Sequence, residues 1–183
     1  MGNYIIQNMI KHANIEKFSK ILNNDNTYYF GEKKTELDLK ELYNLKYLML
    51  VAEPGYGKTR LFKELVLKAN SFKVFYIDTK QIKHSIKEII EKCKLIEPNI
   101  SEEKLQKKIY FCNKEDFVLD DKTIVCLDAI DELPFSNLYS FFEQLEEFIF
   151  DNPNVKVFLS CRTHHLKMIE YDLSSISFEY VTS

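Results

Sequence analysis

The sequence predicts an α/β fold in three layers, a mostly parallel five-stranded sheet with helices on both faces. Three observations carry that prediction. Short, continuously apolar runs recur along the chain, as in strands covered on both faces. Stretches with apolar residues at helical spacing separate them. Between residues 51 and 59 the period switches from strand to helix across a loop that holds two of the chain's four glycines. Strands alternating with helices imply right-handed βαβ units, and ligands of such sheets bind at the carboxyl ends of the strands.

Taken in order, residues 3–22 place Ile5, Ile6, Met9, Ile10, Ala13, Phe18, Ile21 and Leu22 mostly at helical spacing, and "NNDN" ends that helix. Residues 27–30, "TYYF", read as a short strand, followed by a polar turn through Gly31. The run 47–51 is the first buried strand. From 58 to 69, Leu61, Phe62, Leu65, Val66 and Ala69 form one helical stripe. "KVFYID" (73–78) is the second buried strand, and Ser85 with Glu88 makes a capping box before a helix carrying Ile86, Ile89, Ile90 and Cys93. A more polar helix follows Ser101. "TIVCL" (123–127) is the third strand. Beyond Pro134, Leu138, Phe141, Phe142, Leu145, Phe148 and Ile149 mark the clearest amphipathic helix, closed by "DNPN". "VKVFLS" (155–160) and "SISFEYV" (175–181) complete the five strands.

A chain of 183 residues suits one compact domain with a sizeable core. With 45% apolar and 29% charged residues the composition is that of a globular protein. The net charge of -3 supplies no bulk attraction for nucleic acid or anionic membrane. Cys93, Cys112, Cys126 and Cys161 form no C-x-x-C pair and read as reduced core residues of a cytoplasmic protein. No apolar stretch reaches the roughly 18 residues that span a bilayer. The opening "MGN" is similar to a myristoylation start, but Ile6 stands where that motif needs Ser or Thr.

"AEPGYGKT", 52–59, fits the phosphate-binding pattern G-x-x-x-x-G-K-[ST] with Ala52 at the first glycine. Gly55 and Gly57 permit the backbone conformations that turn successive N–H groups inward around a phosphate, and the following helix adds its positive end. Lys58 supplies a charge for the β- and γ-phosphates, and Thr59 a hydroxyl for Mg2+. The candidate nucleotide contacts are Glu53, Pro54, Gly55, Tyr56, Gly57, Lys58, Thr59 and Arg60. For Arg60, on the first helical turn, an exposed role competes with phosphate binding.

In "TIVCLDAIDEL" an apolar strand ends at Asp128, with Asp131 and Glu132 following. A carboxylate at that strand tip can hold Mg2+ through water, opposite Thr59, while a neighbouring acid deprotonates an attacking water. Glu132 is the first choice of base and Asp131 the alternative. All but two of the 25 basic residues are lysines, and the exceptions are Arg60 and Arg162. Arg162, after the fourth strand, has the fork of donors that binds a terminal phosphate. His164 and His165 lack neighbours at metal-ligand spacing and read as a polar helix start; His12 and His84 receive no role.

Together, "LMLVAEPGYGKTRLFKEL", "IVCLDAIDEL" and "VFLSCRT" resemble the nucleotide-binding core of the NACHT family, within the STAND class of signalling P-loop NTPases. "LDAIDE" is the distinctive element, with Ala129 where the family commonly has glycine. The resemblance spans residues 25–181. It implies a P-loop NTPase domain over 25–183 preceded by a helical segment over 1–24. The strand leading to Arg162 would lie between those leading to Lys58 and Asp128. The implied roles are sensor for Arg162, magnesium acid for Asp128, and catalytic acid for Glu132 or Asp131. ATP, ADP and Mg2+ are the implied ligands. The implied function is a slowly hydrolysing switch in a prokaryotic antiviral or innate-immune sensor, acting through self-association or a larger STAND assembly. The small helical domain, winged helix and repeat-built sensor of such proteins do not fit in this length, so the sequence reads as a fragment or a minimal core. An AAA+-like ATPase acting on nucleic acid or protein, a small-molecule kinase and a non-hydrolysing nucleotide-gated module are the rival expectations.

Overall fold

The computed structural model describes residues 14–17, 42–82, 85–97, 99–115, 118–133, 135–165, 176 and 178–182. In chain order these form β1 (Asn14–Lys17), β2 (Tyr47–Val51), α1 (Lys58–Lys68), β3 (Lys73–Asp78), α2 (Ile86–Lys92), β4 (Lys94–Leu95), α3 (Glu102–Gln106), β5 (Tyr110–Cys112), β6 (Thr123–Asp128), α4 (Phe135–Asp151), β7 (Lys156–Cys161) and β8 (Glu179–Thr182). Short 3-10 turns occupy Thr79–Gln81, Ile130–Glu132 and Thr163–His165.

The strands make one eight-stranded sheet in the order β1-β8-β2-β7-β6-β3-β5-β4. Its centre, from β8 to β3, is parallel throughout. These are the five strands expected from the apolar runs, and β7 lies between β2 and β6, as anticipated. Continuous apolar sequence is required here because both faces of the central strands are covered. On one face Leu48, Leu50, Val74, Tyr76 and Phe158 pack against Leu61, Phe62, Leu65 and Val66 of α1. On the other, Met49, Val51, Phe75, Val125 and Leu159 pack against Ile86, Ile89 and Ile90 of α2 and the apolar stripe of α4. Alternate residues of a strand serve opposite layers. Cys93, Cys112, Cys126 and Cys161 are buried, and none is joined in a disulfide. Among the described residues, no helix is long and apolar enough to cross a membrane.

Three edge strands correct the five-stranded expectation. β5 runs antiparallel to β3, and β4 pairs with β5. At three and two residues they are too short to show a period in sequence. β1 pairs antiparallel with β8 and corrects the helical reading of 1–24 at residues 14–17. The reason is visible in the helical stripe itself, which is empty between Ala13 and Phe18 and leaves Ile15 off its face. Without β1 the backbone donors and acceptors along the outer edge of β8 would lack that partner. The rest of the expected helix over 3–22, the strand at 27–30, His12 and His84 lie outside the described residues.

Local signals elsewhere act as expected. Ser85 Oγ accepts from Glu88 N at 3.2 Å and Ser101 Oγ from Lys104 N at 3.4 Å, capping α2 and α3. Lys63, 2% exposed, is the least expected core residue. Its ammonium donates to the carbonyls of Leu105 (3.1 Å) and Gln106 (2.8 Å), at the C-terminal end of α3 where a cation is favoured. It also lies 4.9 Å from the centre of the Tyr76 ring.

The packing makes a contrast within α4 testable by denaturant unfolding. Leu145→Ala, at a fully buried position, should cost about 2–5 kcal/mol. Phe150→Ala, 84% exposed, should stay within about 0.5 kcal/mol. Equal losses would contradict the assignment of the two faces.

Candidate functional site

The parallel register brings the carboxyl ends of β2, β7 and β6 side by side, since Val51 is opposite Cys161 and Leu127 opposite Leu159. The chain leaves these ends at Ala52, Arg162 and Ala129. Ala52 N donates to Cys161 O at 3.3 Å, which carries the β2–β7 ladder one residue into the loop.

In the loop, Gly55 and Gly57 have φ of 88° and 87°. A Cβ at Gly55 would meet nothing within 4 Å, so its requirement is conformational, not spatial. Ala52 is buried and is not among the residues with positive φ, so alanine serves at the first position of the pattern. Gly57 leads directly into α1, putting the first N–H groups of that helix beside Lys58 and Thr59. The Lys58 ammonium donates to the Ala52 carbonyl and to the Glu53 carbonyl (3.2 Å). Burial pulls its pKa down, and of the charges that hold it up Asp131 is the strongest, followed by Cys161 and Asp128. Glu53, Pro54, Gly55 and Tyr56 are exposed along the loop, and Thr59 is half-buried.

Asp128 is 2% exposed at the end of β6. Its Oδ2 accepts from Tyr76 Oη at 2.9 Å, its Oδ1 accepts from Ser160 Oγ, and its carbonyl accepts from Thr79 Oγ1 at 2.7 Å. Burial and the adjacent Asp128 charge push the Tyr76 hydroxyl pKa far up, so it remains a donor. Ser160 Oγ in turn accepts from Ala129 N at 2.9 Å. Two hydroxyl donors leave each carboxylate oxygen with further lone-pair capacity. Asp128 and the Thr59 hydroxyl are hard oxygen donors, which fits Mg2+ held partly through water.

After Asp128 the chain turns through Ala129 at φ 59°, ψ 46°, the left-handed region that L-residues avoid. This is the physical reason a glycine suits the position. The turn separates the two acids that follow. Asp131 points inward, its side chain 2% exposed; Oδ1 accepts from Arg162 N at 3.1 Å, and Oδ2 lies 3.2 Å from Arg162 Nε. That second contact is an ion pair off the hydrogen-bonding direction. Asp131 Oδ2 and His165 Nδ1, 4.0 Å apart, are both buried without a hydrogen-bond partner among the described residues. Glu132 points outward, its side chain 30% exposed, with Oε1 2.6 Å from Arg162 Nη2 and Oε2 2.7 Å from Lys80 Nζ. Burial alone would raise its pKa, but the hydrogen bonds from Lys80 and Arg162 outweigh that and lower it. The stability these bridges confer is therefore present above the ordinary carboxylate pKa and lost as pH falls through the lowered one.

Lys58, Asp128, Asp131 and Arg162 are thus gathered at the carboxyl ends of β2, β6 and β7, with Glu132 at the rim. Arg60 does not join them: it pairs with Glu64 Oε1 at 3.2 Å and Glu102 Oε1 at 3.0 Å, linking α1 to α3. His164 and His165 lie in the 3-10 turn Thr163–His165 after β7, and the helix start expected of them would continue into residues 166–175, outside the described residues. Tyr76, Thr79, Lys80 and Ser160 were not singled out by motif. Ser160, a hydroxyl inside the apolar run "VFLSC", carried a readable signal; Lys80 carried none. The chain matches no protein-family model and no curated protein sequence.

Ala129→Gly should relieve the left-handed strain by more than it adds to the unfolded chain's freedom. The expected gain is about 0.5–1 kcal/mol in denaturant unfolding. A loss of stability would mean the turn is not strained at this residue.

Proposed function

We propose that the chain binds ATP with Mg2+ on the loop between β2 and α1 and hydrolyses it slowly, as a nucleotide switch of the STAND/NACHT type. The observation that carries this reading is the loop itself. A buried parallel strand, two positive-φ glycines, a lysine and a helix N-terminus follow one another, and the acids at and just after the end of β6, with Arg162 just after β7, stand at the same carboxyl ends of the sheet. Backbone N–H groups and the helix end suit the phosphates, and the Lys58 ammonium exchanges loop carbonyls for phosphate oxygens. Thr59 and Asp128 are the residues to hold Mg2+, which when bound neutralises charge on the phosphates. Arg162 is the proposed reader of a terminal phosphate, a role that requires the ATP and ADP states to differ at that residue.

Glu132 remains the proposed base and Asp131 the alternative. A base must first be free to accept a proton, and both Glu132 oxygens are occupied by cations. This observation favours a second reading, a module that binds ATP and is gated by it without turnover.

Phosphate release from ATP separates these readings. The wild-type chain is expected to turn over slowly. Glu132→Gln is expected to retain ATP binding and lose about 10²–10⁴-fold in rate. An unchanged rate in Glu132→Gln with a collapse in Asp131→Asn would transfer the base to Asp131. Tight ATP binding with no phosphate release by wild type would establish the gated module instead. Arg162→Ala should weaken ATP more than ADP, and equal losses would end its role as a phosphate sensor.

A further inference from the structure

Lys80 belongs to no motif, yet its backbone is fixed more firmly than that of an ordinary surface lysine. It sits in the 3-10 turn that follows β3. Thr79, fully buried, ties this turn to the Asp128 carbonyl at 2.7 Å, and Lys80 N donates to Asp78 Oδ1 at 3.1 Å. Asp78 is itself the register partner of Asp128 across the β3–β6 ladder. The lysine is thereby anchored to the strand pair that presents the acids, and its ammonium reaches Glu132 Oε2 at 2.7 Å.

Four charged groups then alternate in sign. Lys80 meets Glu132, Glu132 meets Arg162 at 2.6 Å, and Arg162 meets Asp131 at 3.2 Å. Among the described residues, the Arg162 side chain, 33% exposed, is held by the carboxylates of Asp131 and Glu132. Any anion that draws the guanidinium outward must leave Glu132 with a remaining cation or with none. Lys80 decides which, because removing the partner of a partly buried charge costs more than exchanging one partner for another.

We propose that Lys80 is a positioning residue that keeps Glu132 paired while Arg162 transfers from the acids to the terminal phosphate of a nucleoside triphosphate. This rests on the nucleotide-switch reading above and adds the group that makes the transfer of Arg162 inexpensive. A diphosphate does not call Arg162 away, so Lys80 affects the preference for triphosphate over diphosphate and not nucleotide binding as such. Lys80 is 42% exposed, and its substitution leaves the core untouched.

The test is calorimetric titration of ATP and of ADP, each with Mg2+, into the wild-type chain, Lys80→Ala, Lys80→Arg and Lys80→Glu. Lys80→Ala is expected to weaken ATP about two- to fivefold, the range for a partly exposed ion pair, with ADP unchanged. Lys80→Arg should restore the wild-type ratio. Lys80→Glu should lower it further, because Glu132 then loses its second cation and a third carboxylate joins the two that already hold Arg162. An unchanged ATP-to-ADP ratio in Lys80→Ala and Lys80→Glu, or equal losses for both nucleotides, would overturn the proposal while leaving the switch reading intact. A wild-type chain that binds neither nucleotide would overturn the switch reading, and this proposal with it.

Discussion

A buried carboxylate must be satisfied where it lies, and the carboxylate of Asp128 has only the ends of three strands from which to draw its partners. Tyr76 from β3 and Ser160 from β7 supply hydroxyls, and Thr79 fastens the turn after β3 to the same residue's backbone. One residue thereby ties together the carboxyl ends of β3, β6 and β7. The consequences extend outward. The Tyr76 ring stacks on Phe111 of β5 and lies beneath the buried ammonium of Lys63, which in turn holds the end of α3. The strand additions at that edge are continuous, through these contacts, with the acid at the centre of the site.

Around that fixed point the charges divide into two sets. Lys58 is held by its own loop and supported chiefly by Asp131, the inward-facing acid. Glu132, one residue on, faces Lys80 and the rim. The left-handed residue Ala129 follows β6 and leads directly into a single 3-10 turn that holds both acids, Asp131 buried and Glu132 partly exposed. Arg162 bridges the two sets. Among the described residues it is the one group in contact with both acids.

The central fold was legible because its strands are buried on both faces, which forces uninterrupted apolar runs such as 47–51 and 123–127. The helices were legible for the converse reason: α4 buries one stripe and exposes the rest. The edges were not. β4 and β5 are fixed by pairing and by single contacts such as Tyr76 with Phe111, which leave no periodic trace, and β1 was concealed within a helical pattern whose gap fell at its own four residues. In the site, glycine spacing and acid spacing located Lys58, Thr59, Asp128, Asp131 and Glu132. The opposite orientations of the two acids depend on a backbone angle at Ala129 that sequence does not display. Tyr76 and Ser160 are single hydroxyls within core strands, and Lys80 is one lysine among many, so only the register of β3, β6 and β7 identifies them.

Every role proposed for the site depends on whether the loop between β2 and α1 holds nucleotide phosphates. The most direct measurement is a side-by-side calorimetric titration of wild type and Lys58→Ala with ATP and GTP in the presence of Mg2+. Saturable binding of ATP by wild type, absent in Lys58→Ala with the fold retained by circular dichroism, is the predicted result. Undiminished ATP affinity in Lys58→Ala, or no binding of either nucleotide by wild type, would contradict the account at its foundation.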